Sequence, residues 1–175
     1  MNKIIKINLN NINSFLEIGK NNFPCILYGI HKESFVWICE EKKNDENYIK
    51  EQKIKTFFLD NCPGSTIVCS KGDIDLGFFG DEEFCKKQLN KIINLFSKKI
   101  TNLKFLNNDF IYNNNKYGAA TFLKFDECCY IGVHISNNIN SFLIAQICQK
   151  RSFTMPEKLP SPITENEIIE LFKEN

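Results

Sequence analysis

The stretch LNNDFIYNNNKYGAATFLKF, residues 106–125, decides the fold of this chain. Asn108 and Asp109 precede a short apolar run and an Asn-rich turn, after which Lys116 opens a second apolar strand. Gly118 follows the lysine closely, and a glycine lets another backbone segment approach. The stretch therefore predicts a hairpin with a lysine at the start of its second strand.

The segment CYIGVHISNNINSFLIAQIC, residues 129–148, follows at once and ends at Cys148. A lysine that faces a cysteine suits acyl transfer, because the ammonium group can lower the pKa of the thiol and stabilise charge on a reacting carbonyl. We therefore take Lys116 and Cys148 as candidate catalytic residues.

This order of segments resembles the biotin/lipoate protein ligase superfamily, which includes lipoate–protein ligases, biotin–protein ligases and lipoyl (octanoyl) transferases. In that family an Asn-Asp pair precedes a strand, a turn and a lysine with a nearby glycine. The resemblance gives those roles to Asn108, Asp109, Lys116 and Gly118, and it gives Cys148 the place of the octanoyltransferase cysteine. The asparagine, aspartate and glycine would then help to bind the substrate.

The Gly-rich loop of the family is altered in this chain. The family's loop begins with Arg, contains two or three glycines and closes with His. Here the corresponding residues read DNCPGS, and Cys69 occupies the His position. Gly64, Ser65 and Gly72 are the loop residues that the resemblance assigns to substrate binding. Since Pro63 also lacks an N–H that a phosphate cradle would use, the sequence predicts a divergent or inactivated member.

The resemblance implies that an octanoyl or lipoyl group is attached to the lysine of a lipoyl carrier domain. A transferase would take the acyl group from acyl carrier protein onto Cys148 and would need no cofactor. A ligase would instead use ATP and Mg²⁺, with Lys116 on the carboxylate and the α-phosphate. The altered loop and the presence of a single arginine, Arg151, favour the transferase. The same resemblance is also compatible with a biotin–protein ligase, or with a non-catalytic relative that binds a carrier domain.

Composition limits the remaining possibilities. The 175 residues predict one domain, 1–175, and the net charge of +1 indicates no attraction to nucleic acid or to a membrane. No apolar run approaches the ~20 residues that span a bilayer, and the first residues lack a signal-peptide pattern, so we expect a cytoplasmic protein. Eight cysteines are then expected to be reduced. With only His31 and His134 beside them, their spacing indicates no zinc ligand set.

Periodicity and turn signals predict an α+β domain with helices packed over a mixed, largely antiparallel sheet, as in the class II synthetase-like catalytic domain of the family. The predicted helices are 11–19, 81–100, 137–149 and 165–173. Residues 25–30 and 34–39 are predicted to pair as a hairpin. The other predicted strands are 3–9, 53–59, 74–79, 103–106, 109–112, 116–125 and 128–136.

Overall fold

The computed structural model describes residues 3–9, 12–39, 55–59, 67–140 and 157–173. In chain order, its strands are β1 (Lys3–Lys6), β2 (Cys25–Ile30), β3 (Phe35–Cys39), β4 (Thr56–Leu59), β5 (Ile67–Cys69), β6 (Ile74–Gly80), β7 (Lys104–Leu106), β8 (Asp109–Tyr112), β9 (Asn115–Lys124) and β10 (Cys129–Ile135). The helices are α1 (Ile12–Asn22), α2 (Glu82–Lys99) and α3 (Glu165–Lys173).

The strands form two sheets. Seven of them lie in the order β1-β2-β6-β10-β9-β8-β7, and three lie in the order β4-β3-β5. In the larger sheet only the β1–β2 pair is parallel, and in the smaller sheet only the β3–β4 pair is parallel, among the strands that the structure describes. The predicted α+β class, with a mixed and largely antiparallel sheet under packed helices, is confirmed.

Both faces of the larger sheet are covered. One face packs against α2 and α3, and we call it the two-helix face. Its core includes Phe78, which lies 5.5 Å from the α3 ring of Phe172 between ring centroids. The opposite face packs against α1 and is called the α1 face, where Phe15 packs against both Phe79 and Tyr130. A central strand of this sheet is therefore buried on both sides, as β6 is along its whole length.

Helix α2 forms where the sequence predicts it. Asp81 is its N-cap and accepts a hydrogen bond from the Phe84 backbone N–H at 2.7 Å, and Ile100 is its C-cap. Glu82 and Glu83 occupy the positively polarised first turn. The apolar residues spaced along one side are buried in the two-helix face: Cys85, Leu89, Ile92 and Phe96.

The predicted hairpin of residues 25–30 and 34–39 is wrong. Strand β2 pairs with β1 and β6, whereas β3 pairs with β4 and β5 in the smaller sheet. The chain does bend between the two strands. However, β6 is a long buried strand that pairs with every residue of β2. Pairing β2 with the buried strand β6 outweighs the local turn signal, so β3 is part of the smaller sheet and not of the larger one.

Two other predicted helices have different outcomes. Helix α3 begins and ends at the predicted residues, and Thr164 and Glu167 form a reciprocal capping box at its start. The predicted helix 137–149 is not observed over residues 137–140, and its remainder lies outside the described residues. Among the described residues, no helix is both long enough and apolar enough to span a membrane.

Candidate functional site

Lys116 and Asp109 are brought together by the β8–β9 hairpin. Asn113 and Asn114 form its tip with positive φ angles of 48° and 62°, a backbone shape that suits Asn and a two-residue hairpin turn. The Lys116 Nζ atom lies 2.7 Å from the Asp109 Oδ1 atom. The two side chains are 31% and 24% exposed, so the ion pair is half-buried at the sheet surface.

An irregularity in the ladder sets the side on which Lys116 lies. Ile111 pairs with Lys116 while Phe110 pairs with Gly118, so Tyr117 is an extra residue in β9. Asp109 pairs with Ala119 in the next register position. The bulge therefore lets the lysine reach the carboxylate of Asp109 from the same hairpin.

The glycines and Asn108 have backbone roles in this structure. A Cβ atom at Gly118 would lie 2.5 Å from the His134 carbonyl oxygen, so close approach of β10 requires a glycine there. Gly72 has a φ of 97°, and its N–H donates to the His31 carbonyl at 2.9 Å. Asn108 is in the β7–β8 turn with a φ of 66°, and its carbonyl accepts from the Ala120 N–H. Their assignment to substrate binding stays a prediction.

Three predicted site residues lie outside the described residues: Gly64, Ser65 and Cys148. The pairing of Lys116 with the candidate nucleophile therefore stays a prediction as well. The site that the structure does describe consists of the Lys116–Asp109 pair and a buried cluster on the same sheet.

The buried cluster is centred on Asp75, the second residue of β6. Its Oδ2 atom lies 2.7 Å from His31 Nε2, and its Oδ1 atom lies 2.7 Å from His134 Nδ1. Cys69, at the end of β5, is fully buried beside them, and one ligand-type atom from each of these four residues lies within 4.8 Å of the others. Two imidazoles, a carboxylate and a thiol thus share one buried site.

A second carboxylate supports this cluster from the β5–β6 turn. Asp73 accepts hydrogen bonds from the Ser70 N–H at 2.7 Å and the Asn138 N–H at 2.9 Å. Its Oδ2 atom lies 3.5 Å from His134 Nε2, which is too long for a good hydrogen bond. Asp73 therefore fixes the turn and adds negative charge beside the imidazole.

Electrostatics in the cluster follow from this packing. Burial by itself would raise the pKa of Asp75, but the two imidazoles outweigh it and hold that pKa below its usual range. Burial would lower the pKa of His134, and the charges of Asp75 and Asp73 together with the Asp75 hydrogen bond raise it instead. Burial, with the charges of Asp75 and Asp73, raises the pKa of Cys69 well above its ordinary value.

The register of the larger sheet connects the cluster with Lys116. Asp75 pairs with His134, His134 pairs with Ala119, and Ala119 pairs with Asp109. Cross-strand partners point to the same face of a sheet, so these residues form one row on the α1 face. Two strand spacings amount to about 10 Å, and only the small Ala119 side chain stands between His134 and Asp109 in this row of described residues. The ion pair and the cluster are therefore neighbours.

The sequence did not reveal this cluster. Its members come from β2, β5, β6 and β10, or directly follow them, and no short spacing connects them. One signal was available: His31, Asp73, Asp75 and His134 are polar residues beside or within strands that are otherwise apolar. Polar residues in a buried strand need hydrogen-bond or ion-pair partners, and here these residues serve as partners for one another.

Neither a protein-family model nor a curated protein matches the sequence, but solved structures match its fold. LipL1 of P. falciparum in complex with lipoate matches with a TM-score of 0.73 and 15% identity, over 99% of this chain and 61% of that chain. A bi-partite lipoate protein ligase with its E2 lipoyl domain, from Thermoplasma acidophilum, has a TM-score of 0.66 and 11% identity, over 98% and 80%.

Lipoate-protein ligase A bound with ATP matches with a TM-score of 0.60 and 14% identity, over 99% of this chain and 95% of that chain. The chain has the biotin/lipoate protein ligase fold. Biotin protein ligase of Leishmania major in complex with biotin also matches, with a TM-score of 0.53 and 8% identity, over 98% and 71%. The chain spans 61% of the length of the LipL1 chain.

Proposed function

We propose that this protein attaches an octanoyl or lipoyl group to the lysine of a lipoyl carrier domain. The observation that carries the proposal is the half-buried Lys116–Asp109 ion pair, held on the β8–β9 hairpin of a fold that lipoate ligases share. Lys116 and Asp109, two of the residues named from the family's motif, are thus in contact because of a bulge in β9. A chance match of sequence spacing would not by itself bring their side chains together.

Lys116 would act on the carbonyl oxygen of the acyl group. Its ammonium group has three N–H donors, and Asp109 accepts from it at 2.7 Å. The other donors can face the acyl carbonyl and stabilise the negative charge that develops there. Asp109 would be a positioning residue, because it holds the end of a flexible side chain in one place. Asn108, Gly118 and Gly72 would shape the surrounding backbone, with Gly64 and Ser65 on the loop.

In the transferase form, Cys148 would attack the thioester of octanoyl-acyl carrier protein as a thiolate. A new sulfur–carbon bond forms and the carrier thiol leaves with a proton. The amine of the lipoyl domain lysine then attacks the same carbonyl, an amide bond forms, and the Cys148 thiol is released. No cofactor is consumed, which suits a chain with one arginine and an altered loop.

The ATP-dependent ligase is the second candidate, and the fold favours it because lipoate-protein ligase A, bound with ATP, has a similar structure. Free lipoate, or biotin in a biotin ligase, would be activated with ATP and Mg²⁺, and Lys116 would lie against the carboxylate and the α-phosphate. Residues 60–65, which the resemblance compares with the start of the family's Gly-rich loop, lie outside the described residues. The Thermoplasma protein and its E2 lipoyl domain support a lipoyl domain as the acceptor in both forms.

A test of the proposal uses octanoyl-acyl carrier protein and a lipoyl domain without ATP. The transferase form predicts an added octanoyl mass on Cys148, followed by transfer to the domain lysine. Cys148→Ala is expected to abolish both steps, and the control Cys129→Ala, which changes a partly buried cysteine in β10, is expected to leave them intact.

Different results of this assay identify different functions. A modified lipoyl domain that requires ATP and free lipoate, and that still forms with Cys148→Ala, identifies the ligase. Binding of the lipoyl domain without either reaction identifies a non-catalytic relative. Absence of acyl adduct, transfer and ATP-dependent ligation together would contradict the enzymatic proposal.

A further inference from the structure

The His31, Cys69, Asp75 and His134 side chains form the set of atoms that zinc prefers. Imidazole nitrogen, thiolate sulfur and carboxylate oxygen are its usual ligands, and four protein ligands are typical of structural sites. All four residues are buried, with His31 only 2% exposed and Cys69 fully enclosed. A buried group of this composition is unusual in an apolar interface unless it pairs internally or holds a cation.

Internal hydrogen bonding does not satisfy the cluster. Within the described part of the chain, His31 Nδ1 is buried without a hydrogen-bond partner, and His134 Nε2 has the long contact with Asp73 Oδ2 at 3.5 Å but no good hydrogen bond. Asp75 uses its two oxygens on the other nitrogen of each ring. A buried ring nitrogen without a partner loses its water without replacement, so internal hydrogen bonding leaves both rings only partly satisfied.

The charges of the site are compatible with a bound zinc ion. Asp73 and Asp75 bring two carboxylates into the site, and zinc binding would deprotonate the Cys69 thiol and any imidazolium. A zinc ion bound by one thiolate, one carboxylate and two neutral imidazoles forms a neutral unit. Asp73 then remains outside the coordination sphere, where its hydrogen bonds from the Ser70 and Asn138 N–H groups already hold it.

The distances require only a small adjustment. Tetrahedral zinc with bonds of about 2.0–2.3 Å separates its ligand atoms by about 3.3–3.8 Å. The four ligand-type atoms here lie within 4.8 Å of one another, and Asp75 is 2.7 Å from each ring. Small side-chain rotations would open the two short contacts and close the longer ones, while β6 and β10 hold the backbone of Asp75 and His134 in the larger sheet.

We propose that His31, Cys69, Asp75 and His134 bind one zinc ion that fastens the smaller sheet to the larger one. Cys69 ends β5 of the smaller sheet, whereas Asp75 and His134 lie in the larger sheet and His31 follows β2. The ion would thus connect the two sheets. It would lie about 10 Å, or two strand spacings, from β8, which carries Asp109. With four protein ligands it has no open coordination position, so its role is structural. Binding displaces the thiol proton and any imidazolium proton to the solvent.

The test begins with the full chain, stripped with a chelator and titrated with Co²⁺. Binding at one site per chain, with a thiolate-to-cobalt charge-transfer band and the visible bands of tetrahedral cobalt, is the expected result. Cys69→Ser should lose the charge-transfer band. The matched control, Cys25→Ser, removes another buried thiol that lies in β2 away from the cluster and should keep the band.

A second measurement on the unaltered chain does not depend on folding of the variants. X-ray absorption of the zinc-loaded protein should show one sulfur at about 2.3 Å and three nitrogen or oxygen ligands at about 2.0–2.1 Å. Zinc should also raise Tm, and the chelator should reverse that rise. Failure to bind zinc or cobalt at one equivalent, a band that persists in Cys69→Ser, or a spectrum without sulfur would each overturn the proposal and leave a metal-free hydrogen-bonded cluster.

Discussion

The Lys116 ammonium group pairs with Asp109 but can donate further hydrogen bonds. An ammonium group has three N–H bonds, and its side chain is 31% exposed, so a substrate can reach it without dissolving the ion pair. A half-exposed pair of this kind contributes little to folding. The position is therefore one where activity and stability can be separated by mutation.

We predict that Lys116→Ala lowers the rate of transfer to the lipoyl domain by about 100-fold or more, since a donor to the developing oxyanion is lost. Tm should stay close to that of the unaltered protein, because a surface substitution changes stability by less than about 0.5 kcal/mol. Lys124→Ala, at an exposed position in the same strand, is the control and should retain full activity. A normal rate for Lys116→Ala would remove the role proposed for it.

Gly118 is a residue at which the fold itself should fail. Its added Cβ would lie 2.5 Å from the His134 backbone oxygen, and a backbone atom in the sheet centre cannot move aside. Gly118→Ala should therefore lower the free energy of unfolding by about 1–3 kcal/mol, measured by urea denaturation. Unchanged stability would show that β9 and β10 can separate locally.

At the level of elements, α3 is attached to the edge of the larger sheet by Glu165. Its Oε1 atom accepts hydrogen bonds from Lys6 Nζ at 2.7 Å and Tyr28 OH at 2.8 Å. These two hydrogen bonds lower the pKa of Glu165, and burial with the nearby carboxylate raises the pKa of Tyr28 to about 12. The contact makes the attachment of the last helix sensitive to pH.

We expect Glu165→Gln to lower the free energy of unfolding by about 1 kcal/mol or less at pH 7. Because the folded pKa is lowered, the contribution is present above the ordinary carboxyl pKa and is lost as pH falls through the folded value. The difference from the unaltered protein should therefore shrink below about pH 4. Glu170→Gln, an exposed change in the same helix, is the control and should show no such pH dependence.

Elements were predictable where the local pattern and the tertiary contacts agree. Helix α2 has a capping Asp81, an acidic first turn and apolar residues on one side, so its sequence specifies both its ends and its buried side. The β8–β9 hairpin was also predictable, because paired Asn residues favour its tip. The partner of β2 was not, since a turn signal carries no information about the distant β6.

At the level of the whole molecule, the cluster around Asp75 depends on contacts between strands that are far apart in sequence. Lys116 and Asp109 could be named from one hairpin and a family resemblance, but His31, Cys69, Asp75 and His134 meet only after both sheets have formed. Such a site forms only when strands that are far apart in sequence come together. The hydrophobic periodicity of a single sequence does not predict which strands pair. The cluster was thus beyond sequence reasoning, whereas the pair was not.

Asp75→Asn should destabilise the whole domain by about 3–5 kcal/mol, because it leaves buried partners without their charge. Trp37 can report this, since it is the single tryptophan, is 4% exposed and has its ring centroid 5.5 Å from that of His31. Denaturation followed by its fluorescence is the measurement. Asp81→Asn is the control, because Asn is an equally good N-cap. Equal midpoints for the two variants would show that the cluster adds little to stability.

The outermost strands of the seven-stranded sheet have a consequence for solubility. Strand β1 has four residues with a lysine at each end, and β7 has three residues that begin with Lys104. Short edge strands that carry lysines repel a second copy of the protein that would otherwise extend the sheet. Replacing these lysines with threonine is therefore expected to promote self-association through the sheet edges.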